Sequence, residues 1–145
     1  MSDVIHRTTL EFRKSVSTGR FDTADWIINP DLAALSGIDK KYWKVVGDTV
    51  VEMTQGEKDV VDTADLAAAK IVRSEEVDQA TVFATLKSMV DLEPGSNVNS
   101  FEGTFAGHFR TEIITGNTLK TSIDNAANMT ALDAIIDNRD LDIIP

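Results

Sequence analysis

The chain of 145 residues contains no cysteine. That absence excludes a disulfide framework, thiolate zinc sites and thiol catalysis together. Long apolar runs are missing too: no window approaches 18 consecutive apolar residues, so no segment reads as a membrane-spanning helix. Met1-Ser2-Asp3-Val4-Ile5-His6-Arg7 lacks a basic start followed by an apolar stretch, and is not expected to be a secretory signal. Histidine occurs twice, and no phosphate-cradling Gly-x-x-x-x-Gly-Lys-Ser/Thr or dinucleotide-type Gly-x-Gly-x-x-Gly pattern is present. Basic residues are the minority, with 14 Lys and Arg against 24 Asp and Glu and a net charge of −10. A duplex-DNA reader carries the opposite balance.

What remains is an ordinary globular composition, 42% hydrophobic and 26% charged, of a length suited to one domain. The acidity is unevenly spread. Residues 1–50 are neutral, and the excess of acids lies in 51–95 and 96–145. A solvated helix face explains it. The sharper alternative is an acidic face that meets a basic partner.

The fold class expected is α+β. Residues 4–13 alternate, with Val4, His6, Thr8, Leu10 and Phe12 on one face of a strand. Residues 15–20 read as a polar loop and 25–28 as a short β-prone run, broken at Asn29-Pro30. Residues 42–53 form a hairpin around the two-residue loop Gly47-Asp48, flanked by aromatic and β-branched runs. Thr54-Gln55-Gly56-Glu57 is a capping box that opens a helix over about 54–72. Its stripe of Val60, Ala64, Ala67 and Ile71 is narrow and small-sided. Such a helix draws its stability from packing, so this region is expected to meet a copy of itself or another subunit. The phase is lost around 73–79, and a second helix is expected over 75–92 with Ser74 as its cap. Pro94-Gly95 ends the helical region. The Gly-, Asn- and Thr-rich residues 96–116 favour strand or ordered loop, with 111–115 a candidate strand. A last helix is expected over 121–138. The implied organisation is a small β unit over 1–53, a helical segment over 54–93, and a loop/strand segment with a C-terminal helix over 94–145, possible as a single domain.

Chemistry-bearing constellations are thin. Neither His6, within an alternating strand, nor His108, in an aromatic setting, has a nucleophile or orienting acid at a recognisable spacing. Asp133, Asp137, Asp140 and Asp142 crowd the C-terminus but lack the order of a calcium loop. No catalytic, cofactor-binding or metal-binding residue is assigned. The candidates for an interface are the large aromatics Trp26, Tyr42 and Trp43, of which Trp43 leans to core, and Ala64, Ala67 and Ile71 of the helical stripe.

One stretch has a family likeness. The runs Asp25-Trp26-Ile27-Ile28-Asn29-Pro30-Asp31-Leu32, Lys41-Tyr42-Trp43-Lys44-Val45-Val46-Gly47-Asp48, Val51-Glu52-Met53-Thr54 and Glu57-Lys58, with the opening Ile5-His6-Arg7-Thr8-Thr9, resemble a small module of tailed-bacteriophage structural proteins. The resemblance covers about residues 4–66. It implies a virion component such as a head-decoration, fibre or tail protein, assembled in the host cytoplasm. Its partners would be capsid, portal or tail subunits and copies of itself, with no small-molecule substrate, nucleic acid or membrane. It implies no catalytic residue. The alternatives from residue chemistry are an acidic binding or inhibitor protein covering a basic partner, and a hydrolase using His108.

Overall fold

The computed structural model describes residues 1–90 and 98–139, with side chains described for 1–86, 107 and 109–139. The fold is α+β: antiparallel strands precede the helices. Two compact units divide the chain, Met1–Ala64 and Asp65–Pro145.

In the first unit, strands β1 (Ser2–His6), β2 (Phe12–Val16) and β3 (Trp26–Ile28) form a sheet ordered β2-β1-β3, antiparallel throughout. The alternation over 4–13 is therefore not one strand but a hairpin. The turn between β1 and β2 is built by His6, whose Nδ1 accepts the backbone amides of Thr8 (3.1 Å) and Thr9 (3.2 Å), while Leu10 takes a positive φ of 55°. Ser15 and Val16 belong to β2, and Thr18–Arg20 is a 3-10 turn, so the expected polar loop is largely ordered structure. Register pairs Ile5 with Phe12 and Ile27 on one face, and sets Val4, His6, Arg13 and Trp26 on the other. The first face joins Leu35 and Val50 in the core, with Trp43, Val45 and Ile38 packed against it. Burying each such aliphatic contributes about 1.5–3 kcal/mol.

The hairpin at 42–53 is present as β4 (Trp43–Val46) and β5 (Thr49–Glu52), with Val46 opposite Thr49. Gly47 has φ +60°, and positive φ at the first central residue alone is the pattern of a II′ turn, whose twist matches that of the strands. Helix α1 (Gln55–Val90) then starts on its capping box: Glu57 Oε2 accepts the Thr54 amide at 2.8 Å, and Thr54 Oγ1 accepts that of Glu57 at 3.4 Å.

The helical region departs furthest from expectation. Helix α1 runs unbroken through residues 73–79, so Ser74 caps nothing. The phase loss has a physical origin: α1 carries two interleaved apolar patterns. Leu66, Ala69, Val77, Ala80 and Ala84 are turned inward, whereas Val60, Ala64, Ala67 and Ile71 are exposed. Helix α2 (Val98–Asn125) replaces the expected strand or loop, including the strand at 111–115; residues 96–97 lie outside the described ones. Packing overrides the glycine penalty here. Gly116 is buried where a Cβ would fall 2.5 Å from Thr81 Oγ1, so its lack of a side chain lets α2 approach α1. The helix expected over 121–138 is interrupted. Helix α2 stops at Asn125, Asn128 caps a short α3 (Met129–Asp133) by accepting the Ala131 amide at 2.9 Å, and 134–139 is non-helical. Thr121 lies mid-helix, its hydroxyl donating back to the Asn117 carbonyl. Val77, Ile123, Ala126 and Leu132 form the core of this unit.

Candidate interaction surface

Strand pairing gathers a site that no local motif announces. Trp26 lies half-buried on β3, an edge strand, across from His6. His6 and Phe21 meet its ring edge-on, each at 4.9 Å between centroids. The Arg13 guanidinium, on β2, lies 5.6 Å from the centre of the same ring, a cation–π arrangement. Val16, Ser17, Arg20 and Phe21 complete the wall of an open groove of about 630 Å³ beside Trp26. The result is an aromatic floor rimmed by two guanidiniums, in a chain that is acidic overall.

The other proposed anchors are placed differently. Trp43 packs on the core and its Nε1 donates to the Ile38 carbonyl at 3.1 Å. Tyr42 donates its hydroxyl to Asp62 at 2.6 Å, and Lys41 and Lys58 lie over its ring. The Lys41 ammonium and then the Tyr42 hydroxyl hold the Asp62 carboxyl below its usual range, and the same bond to Asp62 pushes the phenol up. Tyr42 thus fastens the hairpin to the first turns of α1. Ala64, Ala67 and Ile71 lie exposed on α1, away from the core.

His6 serves its turn, since its Nδ1 already accepts two amides. The side chain of His108 lies outside the described residues, as do Asp140 and Asp142. Asp137 and Arg139 form a close ion pair, which lowers the carboxyl and raises the guanidinium. Arg139 also donates to Thr81 Oγ1 at 2.8 Å, fixing residues 134–139 against α1. Among the described residues, no three His, Asp or Glu side chains converge as metal ligands, and no helix is long and apolar enough to cross a membrane.

Comparison with protein families, curated proteins and solved structures finds nothing that matches this chain.

Proposed function

We propose that the protein is a non-enzymatic structural subunit of a tailed-bacteriophage virion, joined to other virion subunits through the Trp26 groove. The motif resemblance over residues 4–66 supports the class. The observation that carries the groove is Trp26 itself: an amphipathic aromatic on an edge strand, held by His6 and Phe21 and reachable from solvent beside Arg13 and Arg20. Interface energy concentrates in aromatic and arginine anchors of this kind. The acids of α1 play a lesser part, because exposed ion pairs are worth about 0–1 kcal/mol.

The test is incorporation of variants into particles, quantified by mass spectrometry of the purified virion. Trp26→Ala and Arg20→Ala should each lower incorporation at least tenfold with the circular dichroism unchanged. Joint replacement of Asp59 and Asp65 by Asn should leave it within twofold. Asp62 is spared because it holds Tyr42 and Lys41. Normal incorporation of both groove variants, with loss in the acid variant, would overturn the proposal in favour of an acidic protein that covers a basic partner.

A further inference from the structure

Helix α1 is apolar on two opposite faces. Its inward face is Leu66, Ala69, Val77, Ala80 and Ala84, and with each residue turning about 100° these positions span a sector about 80° wide. On the opposite side lie Ala68, Val72, Glu75, Gln79, Val82 and Leu86, separated by four, three, four, three and four residues, with Ile71 and Phe83 beside them. That is the alternation of a coiled-coil seam. Ile71, Val72, Val82, Phe83 and Leu86 are each between 47% and 62% exposed. A helix with a second apolar seam is suited to being the middle layer of a larger bundle.

The seam is also a palindrome about Val77. Ala68 and Leu86 stand nine residues to either side, Ile71 and Phe83 six, Val72 and Val82 five, Glu75 and Gln79 two. We infer that the occupant is the same face of a second copy, crossing antiparallel about a two-fold axis at Val77. This rests on the reading of the chain as an assembling subunit and makes its partner explicit. A two-fold contact is self-complementary by construction, and every pairing here is favourable. Small Ala68 meets large Leu86, Val72 meets Val82, the Gln79 amide can donate to the Glu75 carboxylate, and Ile71 and Phe83 flank the seam on opposite sides. A parallel copy would instead press Glu75 against Glu75. The five large side chains expose on the order of 450 Å² per copy, so with Ala68, Glu75 and Gln79 a pair would bury about 1,200 Å² in total, the lower bound of specific interfaces.

The experiment uses the full chain. Sedimentation equilibrium should show a reversible monomer–dimer equilibrium. Val72→Glu and Val82→Lys should each weaken the dimer at least tenfold with helicity retained, since both side chains are more than half exposed in the single chain. Mixing the Val72→Glu chain with the Val82→Lys chain should restore a heterodimer, because the register sets position 72 of one copy against 82 of the other. Ile114→Glu, on α2, should leave association unchanged. The absence of cysteine allows a single spin label at Ala67→Cys. Two labels should lie about 30 Å apart along the helices in the antiparallel register, against roughly 10–15 Å side by side in a parallel one. A monomer at 200 µM overturns the inference. So do a failed heterodimer rescue and the short label distance. Particle incorporation lost while this dimer persists would strike the virion reading alone.

Discussion

Replacing Gly116 by alanine sets two known effects against each other. Alanine is the better helix former by about 1 kcal/mol, and it also restricts the unfolded chain. On those grounds Gly116→Ala should stabilise α2. The packing says otherwise. The new Cβ would lie 2.5 Å from Thr81 Oγ1 and 3.6 Å from Thr81 Cβ. The threonine hydroxyl cannot swing away freely, because it donates to the Val77 carbonyl at 2.8 Å and accepts from Arg139 Nη1 at 2.8 Å. Either the helices part slightly, at an overpacking cost of about 1–3 kcal/mol, or Thr81 rotates and breaks a charge-assisted bond of about 1.5–3 kcal/mol. After the propensity gain we expect a net loss of up to about 2 kcal/mol. For a unit of this size that lowers the melting temperature by up to roughly 16 °C. The assay is thermal and urea unfolding followed by helix circular dichroism, since both tryptophans lie in the other unit. Thr81→Ala removes the obstructing oxygen, so Thr81→Ala with Gly116→Ala should lose less than the two single losses added together. Gly116→Ala more stable than the parent protein would refute the close approach of α1 and α2.

Two further changes address the first unit. A Cβ at Gly47 meets nothing within 4 Å, so Gly47→Val should cost only its backbone strain at φ +60°, about 1–3 kcal/mol; a urea midpoint by tryptophan fluorescence equal to that of the parent would show that the turn tolerates a β-branched residue. The Glu57 carboxyl is pulled down to about 2, first by the Lys44 ammonium and then by the amide and hydroxyl of Thr54. Its folded pKa lies below its unfolded value, so its contribution is fully present above the usual carboxylate range near 4.5 and is lost as pH falls towards 2. Glu57→Gln should therefore flatten the acid limb of the stability profile between those values, and an unaltered limb would dissociate Glu57 from the start of α1.

The hairpin and the capping box were legible because each is local: a glycine between β-branched runs, and a threonine three residues before a glutamate. The β1–β2 turn was not, since it contains no Gly, Pro, Asn or Asp and depends on a histidine ring accepting two amides. Helix α2 was hidden by Gly103, Gly107 and Gly116, which read as helix breakers. At Gly116 the residue type answers to the neighbouring helix instead of to its own backbone. The apparent break in α1 came from superposing two apolar seams half a turn apart on one helix. Trp26 could be nominated from its place beside Asn29-Pro30. Its companions Arg13, Arg20 and Phe21 could not, because sheet register alone brings them to one groove.

The disposition of charge bears on which functional reading the chain favours. Of the ten acids in residues 51–95, Glu52, Glu57, Asp62, Glu76 and Asp78 each hold a lysine or arginine of this chain, and Asp59 accepts from Gln55. These exposed pairs add little stability. Their consequence is that the acidic segment already has local counter-ions, drawn in three cases from Lys41 just before the hairpin, Lys44 within it and Lys58 in the first helical turn. A basic partner would have to displace Lys41, Lys44 and Lys58 before it met those carboxylates, and the exchange of one exposed ion pair for another yields almost nothing. In the Trp26 groove Arg13 likewise already holds Glu11, but the aromatic floor loses water when covered, which is favourable whatever the salt concentration. Affinity built on the groove should therefore survive ionic strength that would dissolve an acid-face complex, which is the behaviour required of a subunit that stays in an assembled particle.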